Sequence, residues 1–543
     1  MIRRAALPVF LLTSLIVACG DDESPGGSGP GGGGDGGSAA GGNGDGGDSA
    51  MVEPEMVGVH APDEFTVVAQ LEGTGVDAPT TPSAYEITSD LGDLAVTGVA
   101  YDAAANAITL TTDKQKLGVN YYLTIKAPGN LLDLETAQFL SADTATFWAT
   151  DLITFEDYEV VANRVGVGEL AVAYATEAGF EDGVEDAIEE FETKIYPTEI
   201  ALFNDMGDVD GNGRMVMLGL DGHGQYGGYF SPVNALTAEQ AEQFGANSNS
   251  MEMIYLSIPD LDGWDTLHTL PHEFSHLLYN ESHGFDDGGW SWHNEGIAEC
   301  AVHAVHGSNN YLPYYTQEMA GLGDGQSLVI WQYSNLSQYV QAYVFWTYVA
   351  SRLDGVATYG VLFDLDGDPG AIDNYLQAEL GQSLAQTQLD MLTATWLQEP
   401  TGPRGFDGMI DLGAQPQVLG STSAPLLPFT AVLLPANANN LNVAGAGPDV
   451  THLGALTGAS PDLVAPFDVN GGVVIALNTN QDPLSAATQS SGALTGGVNA
   501  APPALPLLKK AAPSNAGLWK HPPPVAPWNR DALVKWRKAA HGF

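Results

Sequence analysis

Five consecutive residues, His272-Glu273-Phe274-Ser275-His276, have the side-chain types and spacing needed to hold a metal ion and use it. On a helix, residues four apart share a face, so both imidazoles can reach one cation. Glu273 projects beside them, close enough to take a proton from a water held by that ion. Zinc lowers the pKa of such a water towards neutrality. The combination predicts metal-assisted hydrolysis. The competing reading is a surface helix with two solvated histidines, since a chain of this length with 12 histidines meets the pattern by chance about one or two times in a hundred.

Eighteen residues follow His276, ending in Trp292-His293-Asn294, and then comes Glu295-Gly296-Ile297-Ala298-Glu299. Helical spacing puts Glu299 one turn beyond Glu295 on the same face. This arrangement resembles that of the gluzincins, the thermolysin-like and aminopeptidase-like zinc proteases. The resemblance implies that Glu295, on a second helix, completes a two-histidine, one-glutamate zinc site whose fourth position is left for water. It also implies that Glu299 orients a ligand histidine, His272. Metzincin spacing is absent, because Tyr279 and Ser282 stand where a Gly and a His would be needed. His283 is read as loop. His268, one turn before His272, is expected to be a neighbour on the helix, since a catalytic site keeps a position open.

Further pieces follow in order along the chain: Lys194-Ile195-Tyr196-Pro197, Asp208-Val209-Asp210-Gly211-Asn212-Gly213-Arg214, Gly227-Gly228-Tyr229-Phe230, and Ser248 to Tyr255 ahead of the zinc helix. Their order is similar to that of the hyicolysin family of bacterial neutral metalloproteases, over about residues 150–400. Pro271 departs from the gluzincin pattern, which has a small residue before the first ligand. Proline there either kinks the helix or marks its start.

Asp208, Asp210 and Asn212, with Gly213, resemble the opening of a calcium loop, in which alternate oxygens face one cation. Gly219 stands where a closing Glu would be, so a plain turn before a strand is the alternative. Asp364, Asp366 and Asp368 read as a solvated turn. By the same gluzincin resemblance a Tyr or His should face the developing oxyanion. Of Tyr339, Tyr343 and Tyr348 on one helix, Tyr343 is the choice, with packing in the core as the alternative.

The elements that must position these residues are legible as patterns. Thr266 to Tyr279, Glu295 to His306, Tyr339 to Arg352 and Glu185 to Lys194 have helical periods. Met215 to Leu220 and Ile254 to Ile258 read as strands, the latter with an edge near Met253 to Leu256 able to pair with an extended substrate. Before them, Phe65 to Ala69, Ala84 to Ile87, Ala107 to Leu110 and Asn120 to Ile125 are short, β-branched and aromatic. They predict a β-sandwich over 53–130 that resembles bacterial Ig-like modules. A second β module is expected over 405–508, including Val473 to Leu477.

The 543 residues allow two to four domains, and 44% hydrophobic content is ample for burial. With 67 acidic against 17 basic residues, the chain repels phosphate backbones, so no nucleic-acid partner is expected. Residues 1–19 have a positive start, an apolar run and Ile16-Val17-Ala18-Cys19. That reads as a signal peptide resembling the bacterial lipobox, with Cys19 lipidated; cleavage elsewhere, as in an ordinary signal peptide, is the alternative. Cys300 is then alone, and no intrachain disulfide is expected. A Gly/Ser/Asp-rich flexible linker occupies 20–52. Seven of the basic residues and one acid fall in a Pro-containing tail, 509–543, read as a loose segment or a contact for anionic lipid or polymer.

The fold class expected is multidomain, an α+β zincin catalytic domain flanked by β-sandwich-like modules. The function expected is that of a zinc endopeptidase acting on extracellular proteins or peptides, exported and either secreted or held in the cell envelope by an N-terminal lipid anchor. An aminopeptidase is the second reading, although Asn249-Ser250-Met251-Glu252-Met253 lacks the Gly and final Asn of that branch's amine-anchoring stretch. A non-catalytic surface adhesion lipoprotein is the third.

Overall fold

The computed structural model describes residues 55–412, apart from short stretches such as 74–77, 127–135, 285–289, 310–321 and 332–335, and then 428–435, 450–456 and 472–478. The expected signal peptide with Cys19, the expected linker, the basic tail and most of the expected C-terminal module lie outside the described residues.

Strand β1 is Glu55–Asp63, β2 Thr66–Glu72, β3 Tyr85–Thr88, β4 Val96–Asp102, β5 Ala107–Thr112, β6 Asn120–Ile125 and β7 Thr136–Leu140. They form two antiparallel sheets, ordered β1-β2-β5-β4 and β3-β6-β7. The alternation expected of half-buried strands is plain in β2 and β6, where every second residue is buried. Val67, Ala69, Ile108 and Leu110 from one sheet share a core with Leu123 and Ile125 from the other.

Next come β8 (Thr144–Thr150), β9 (Asp157–Val167), β10 (Ala171–Ala175), β11 (Met215–Leu220), β12 (Gly228–Phe230) and β13 (Met253–Ser257). They make a six-stranded sheet ordered β12-β13-β11-β10-β9-β8. Three of the four inner strands, β10, β11 and β13, are parallel and buried along their whole length. A strand covered on both faces needs no polar alternation, which is why Met215 to Leu220 is a continuous apolar run. Met215, Met217, Ile254 and Leu256 face a helical layer. Val216, Leu218, Met253 and Tyr255 face the opposite way, against Phe147, Tyr174 and Leu117.

The helical layer begins with α1 (Val184–Glu190) and α2 (Tyr196–Phe203), joined by a wide π turn over Phe191–Ile195. The helix expected to end at Lys194 thus runs on to Phe203. The π turn precedes Pro197, whose missing N–H falls at the start of α2, where no partner is needed. Two short helices, α3 (Ala238–Gln243) and α4 (Ile258–Leu261), precede α5 (Thr269–His283) and α6 (Ser291–His306). Then follow α7 (Leu336–Arg352), α8 (Ala357–Phe363), α9 (Pro369–Glu379) and α10 (Leu384–Leu397). The Asp364–Asp368 turn serves as the entry to α9: the Asp368 carboxylate accepts from the backbone N–H of Gly370 and Ala371.

Strands β14 (Asp324–Ser327), β15 (Thr430–Pro435), β16 (Val450–Leu456) and β17 (Gly472–Asn478) form an antiparallel sheet ordered β14-β15-β17-β16. Ala431, Leu433, Ile475 and Leu477 belong to the same buried cluster as α5 to α10. The described strands of the expected C-terminal module are therefore continuous with the helical core. Among the described residues no helix is long and apolar enough to cross a membrane.

Candidate metal centre

The chain leaves β13 through α4 and enters α5 at Asp265. One carboxylate oxygen of Asp265 accepts from the N–H groups of Leu267 and His268, and the other from the N–H and hydroxyl of Thr269. This satisfies donors that a helix start leaves free. Pro271 lies within that first turn, where its missing N–H costs nothing, so α5 is not interrupted before His272. Leu270, Phe274, Leu277 and Leu278 seat one face of α5 in the core. Helix α6 packs between α5 and α7. Its approach to α7 is close at Gly296, where a Cβ would stand 2.6 Å from Trp346 Cδ1 and 2.8 Å from Ala342 Cβ. Trp292 stacks on Trp346 in the same contact, centroids 4.9 Å apart, and sets the rotation that turns Glu295 towards α5.

Three donor atoms then converge. His272 Nε2 is 3.1 Å from His276 Nε2, and each is 3.4 Å from Glu295 Oε2. Ligands bonded to zinc at about 2.0–2.1 Å in a tetrahedral array stand about 3.3 Å from one another. The separations observed are those of a tetrahedral edge, so the residues fit such an ion. All three residues are nearly enclosed, and so is Glu273.

The far side of each imidazole is also held. Glu299 Oε1 lies 3.1 Å from His272 Nδ1, an ion-pair contact, and Asn294 Oδ1 is 3.1 Å from His276 Nδ1. Glu299 is itself fixed: His268 Nε2 is 3.1 Å from Oε2, and the Asn309 amide donates to the same oxygen at 2.6 Å. His268, His272 and Glu299 form a second close trio. There, however, the Glu299 oxygens are already engaged by Asn309 and the two imidazoles.

Electrostatics favour a cation between these groups. Burial would push the His272 imidazole down, but the carboxylates of Glu299, Glu295 and Glu273 overcome it and lift His272 well above its ordinary value. Burial would likewise raise Glu295, yet the two histidines draw it down to about 2. Glu299 is drawn below the usual carboxylate range in the same way by His268 and His272. Glu273 goes in the opposite direction, raised by burial against the pull of both imidazoles, which makes it a better proton acceptor than a solvated carboxylate.

Beside Glu273 runs β12, an edge of the six-stranded sheet among the described residues. A Cβ on Gly228 would stand 3.3 Å from Glu273 Cγ and 2.5 Å from Thr269 Cγ2, so only glycine lets this strand pass so close. The edge expected at Met253 to Leu256 is thus corrected: β13 is flanked by β12 and β11, and β12 is the open strand.

Tyr343 is also corrected. It is fully buried, and its hydroxyl is 2.8 Å from Nδ1 of His303, in a cluster with Tyr359. The tyrosine that α7 turns towards the site is Tyr339, one turn earlier, with its ring 6.3 Å from that of His272. His283 closes α5, stacked on Tyr279, where a loop was expected. His293 and Cys300 are enclosed in the core. Asp208 and Asp210 lie together on the loop before β11, but the Asn212 amide group is directed to Asp210 and to the carbonyl of Leu117. Asn294, Asn309 and Tyr339 were not singled out for these positions by pattern. Only His268, four residues before His272, had a visible signal, its placement on the same helix face.

Sequence comparison places the chain among relatives of metalloproteases. It is 26% identical over 249 residues to the neutral metalloprotease ShpI of Staphylococcus hyicus. The match covers 40% of this chain and 55% of that protein, so it spans about half the length of the relative. No protein-family model matches. Among solved structures, the N-terminal part of the bacterial S-layer protein SbsC is 17% identical, covering 18% of this chain and 25% of that one. A longer SbsC structure, domains 1–6, is 16% identical and covers 21% and 18%. Their TM-scores, 0.15 and 0.16, are too low to equate the folds.

Proposed function

We propose that the chain is a zinc endopeptidase with a zincin-type catalytic domain, in which His272, His276 and Glu295 hold the ion and Glu273 is the general base. The observation that carries this reading is the convergence of two Nε2 atoms and one carboxylate oxygen at 3.1–3.4 Å, with relatedness to a metalloprotease as independent support. Zinc, when bound there, polarises a carbonyl and makes a water acidic near neutral pH. Glu273 takes the proton from that water and passes it to the amine that leaves. Glu299 and Asn294 hold the ligand imidazoles from behind. Strand β12, at the edge of the sheet among the described residues, runs alongside Glu273 where an extended peptide can lie, which suits cleavage within a chain.

The aminopeptidase reading is less well supported. Asn249 and Met251 are buried, and Asn249 is bonded to Trp148, Asn234 and Tyr255. They are not free to anchor an amine. The Ig-like character of the N-terminal sheets, export, and a lipid anchor at Cys19 belong to the same proposal and rest on the sequence patterns.

The test compares Glu273→Gln with the unaltered chain on an N-terminally blocked protein substrate, with zinc measured in both. Zinc should be retained and hydrolysis lost by on the order of a thousandfold. Equal activity would end the proposal, and cleavage confined to free amino ends would reassign it to an exopeptidase.

A further inference from the structure

The loop from α2 to β11 carries Asp208 and Asp210, and Glu252 stands immediately before β13. One carboxylate oxygen from each lies within 4.8 Å of the other two. Nothing in the proposed hydrolysis uses them. Glu252 is only 3% exposed, and its Oε1 accepts from the backbone N–H of Val209 at 2.6 Å. Its Oε2 is buried with no hydrogen-bond partner. A buried oxygen of this kind costs its full desolvation unless a further group meets it, and native folds retain few.

The remaining contacts shape the loop and leave that oxygen unmatched. Asp208 accepts from Gly213 N–H at 3.0 Å, and Asp210 accepts from Asn212 N–H and its amide at 3.1 and 2.9 Å. Lys116 donates to the carbonyl of Gly211 at 2.9 Å. Burial lifts Glu252 to about 7 and Asp210 to about 6, with mutual repulsion among the acids adding to both and Lys116 and Lys114 easing Asp210 only in part.

We propose that Asp208, Asp210 and Glu252 form a calcium site. Three carboxylates are a hard, all-oxygen donor set; zinc prefers nitrogen and sulfur, and magnesium is usually held by one or two carboxylates and its own waters. Glu252 takes the ligand position that loop spacing alone assigned to Asn212. The ion ties the 204–214 loop to the strand that leads into α5. Lys116 and Leu117, in the connection between β5 and β6, contact the same loop, so the tie also reaches the N-terminal sheets.

The test is calorimetric titration of the zinc-loaded full chain with calcium chloride in excess magnesium, alongside thermal melting with and without calcium. The variants are Glu252→Gln, which keeps the shape, and Asp208→Asn, at an exposed position. One saturable site is expected at about 10⁻⁴–10⁻³ M or tighter, weakened about tenfold or more in both variants. Calcium should raise the melting temperature of the unaltered chain by about 3–5 °C and leave that of Glu252→Gln unmoved. Without calcium, Glu252→Gln should melt at or above the unaltered chain, because its buried unpaired charge is gone. No saturable binding, an equal calcium response in all three proteins, or a lower melting point for Glu252→Gln without calcium would each overturn the proposal.

Discussion

Replacing Glu299 by glutamine removes a buried charge 3.1 Å from His272 Nδ1 while keeping the side chain's shape. With Nε2 given to the metal, Nδ1 carries the proton and faces this carboxylate. A charged partner is worth roughly 1–2 kcal/mol more than a neutral one to a buried polar group, so losing the charge of this ion-pair contact costs about 5–30-fold in zinc affinity. That agrees with the about 10–100-fold generally lost when the group behind a ligand histidine is altered. The amide also sets an N–H against His268 or Asn309, both of which approach Oε2, which lowers stability as well. The assay is chelator competition for zinc on the unaltered chain, Glu299→Gln and Glu295→Gln. Glu295→Gln, which loses a ligand, should fall further than Glu299→Gln. Turnover of Glu299→Gln at saturating zinc should stay within about tenfold, since Glu299 does not face substrate. Zinc affinity unchanged within about twofold in Glu299→Gln would refute the role assigned to it.

Tyr343→Phe should leave kcat within about twofold yet cost about 1–3 kcal/mol in denaturant unfolding, because buried His303 loses a partner. Tyr339→Phe should lower kcat about tenfold or more at unchanged zinc content; the reverse pattern would restore Tyr343 to the site. Burial raises Glu281 on α5 to about 7, so its contribution to stability is complete below its ordinary value near 4.5 and is lost as pH rises through 7. Glu281→Gln should therefore match the unaltered chain near the acid end and exceed it above neutrality, by denaturant midpoint. A gap of constant size across that range would contradict the assignment.

The helices that carry the centre were legible because their periods are local. Thr269–His283 and Ser291–His306 fall close to the spans that spacing predicts, and residues 272 and 276 share a face on any helix. What pairs across the fold was not legible. Asn309 reaches Glu299 from beyond the end of α6, and no pattern in residue type marks it. Tyr339 and Tyr343 are one turn apart on the same helix, so choosing between them requires its rotation. That rotation is set by Trp346 against Trp292 and by the contact at Gly296. Strand β12 escaped notice because it is three residues long and begins with glycine, a weak strand former. The sheet joining β14 to β15 depends on pairing about a hundred residues apart, which periodicity does not carry.

Zinc-edge anomalous diffraction from crystals of the full chain grown with equimolar zinc bears most directly on the centre. One dominant peak is predicted at about 2.0–2.2 Å from His272 Nε2, His276 Nε2 and a Glu295 carboxylate oxygen. A peak on the opposite side of His272, bonded to Nδ1 with His268 and Glu299, would contradict the account.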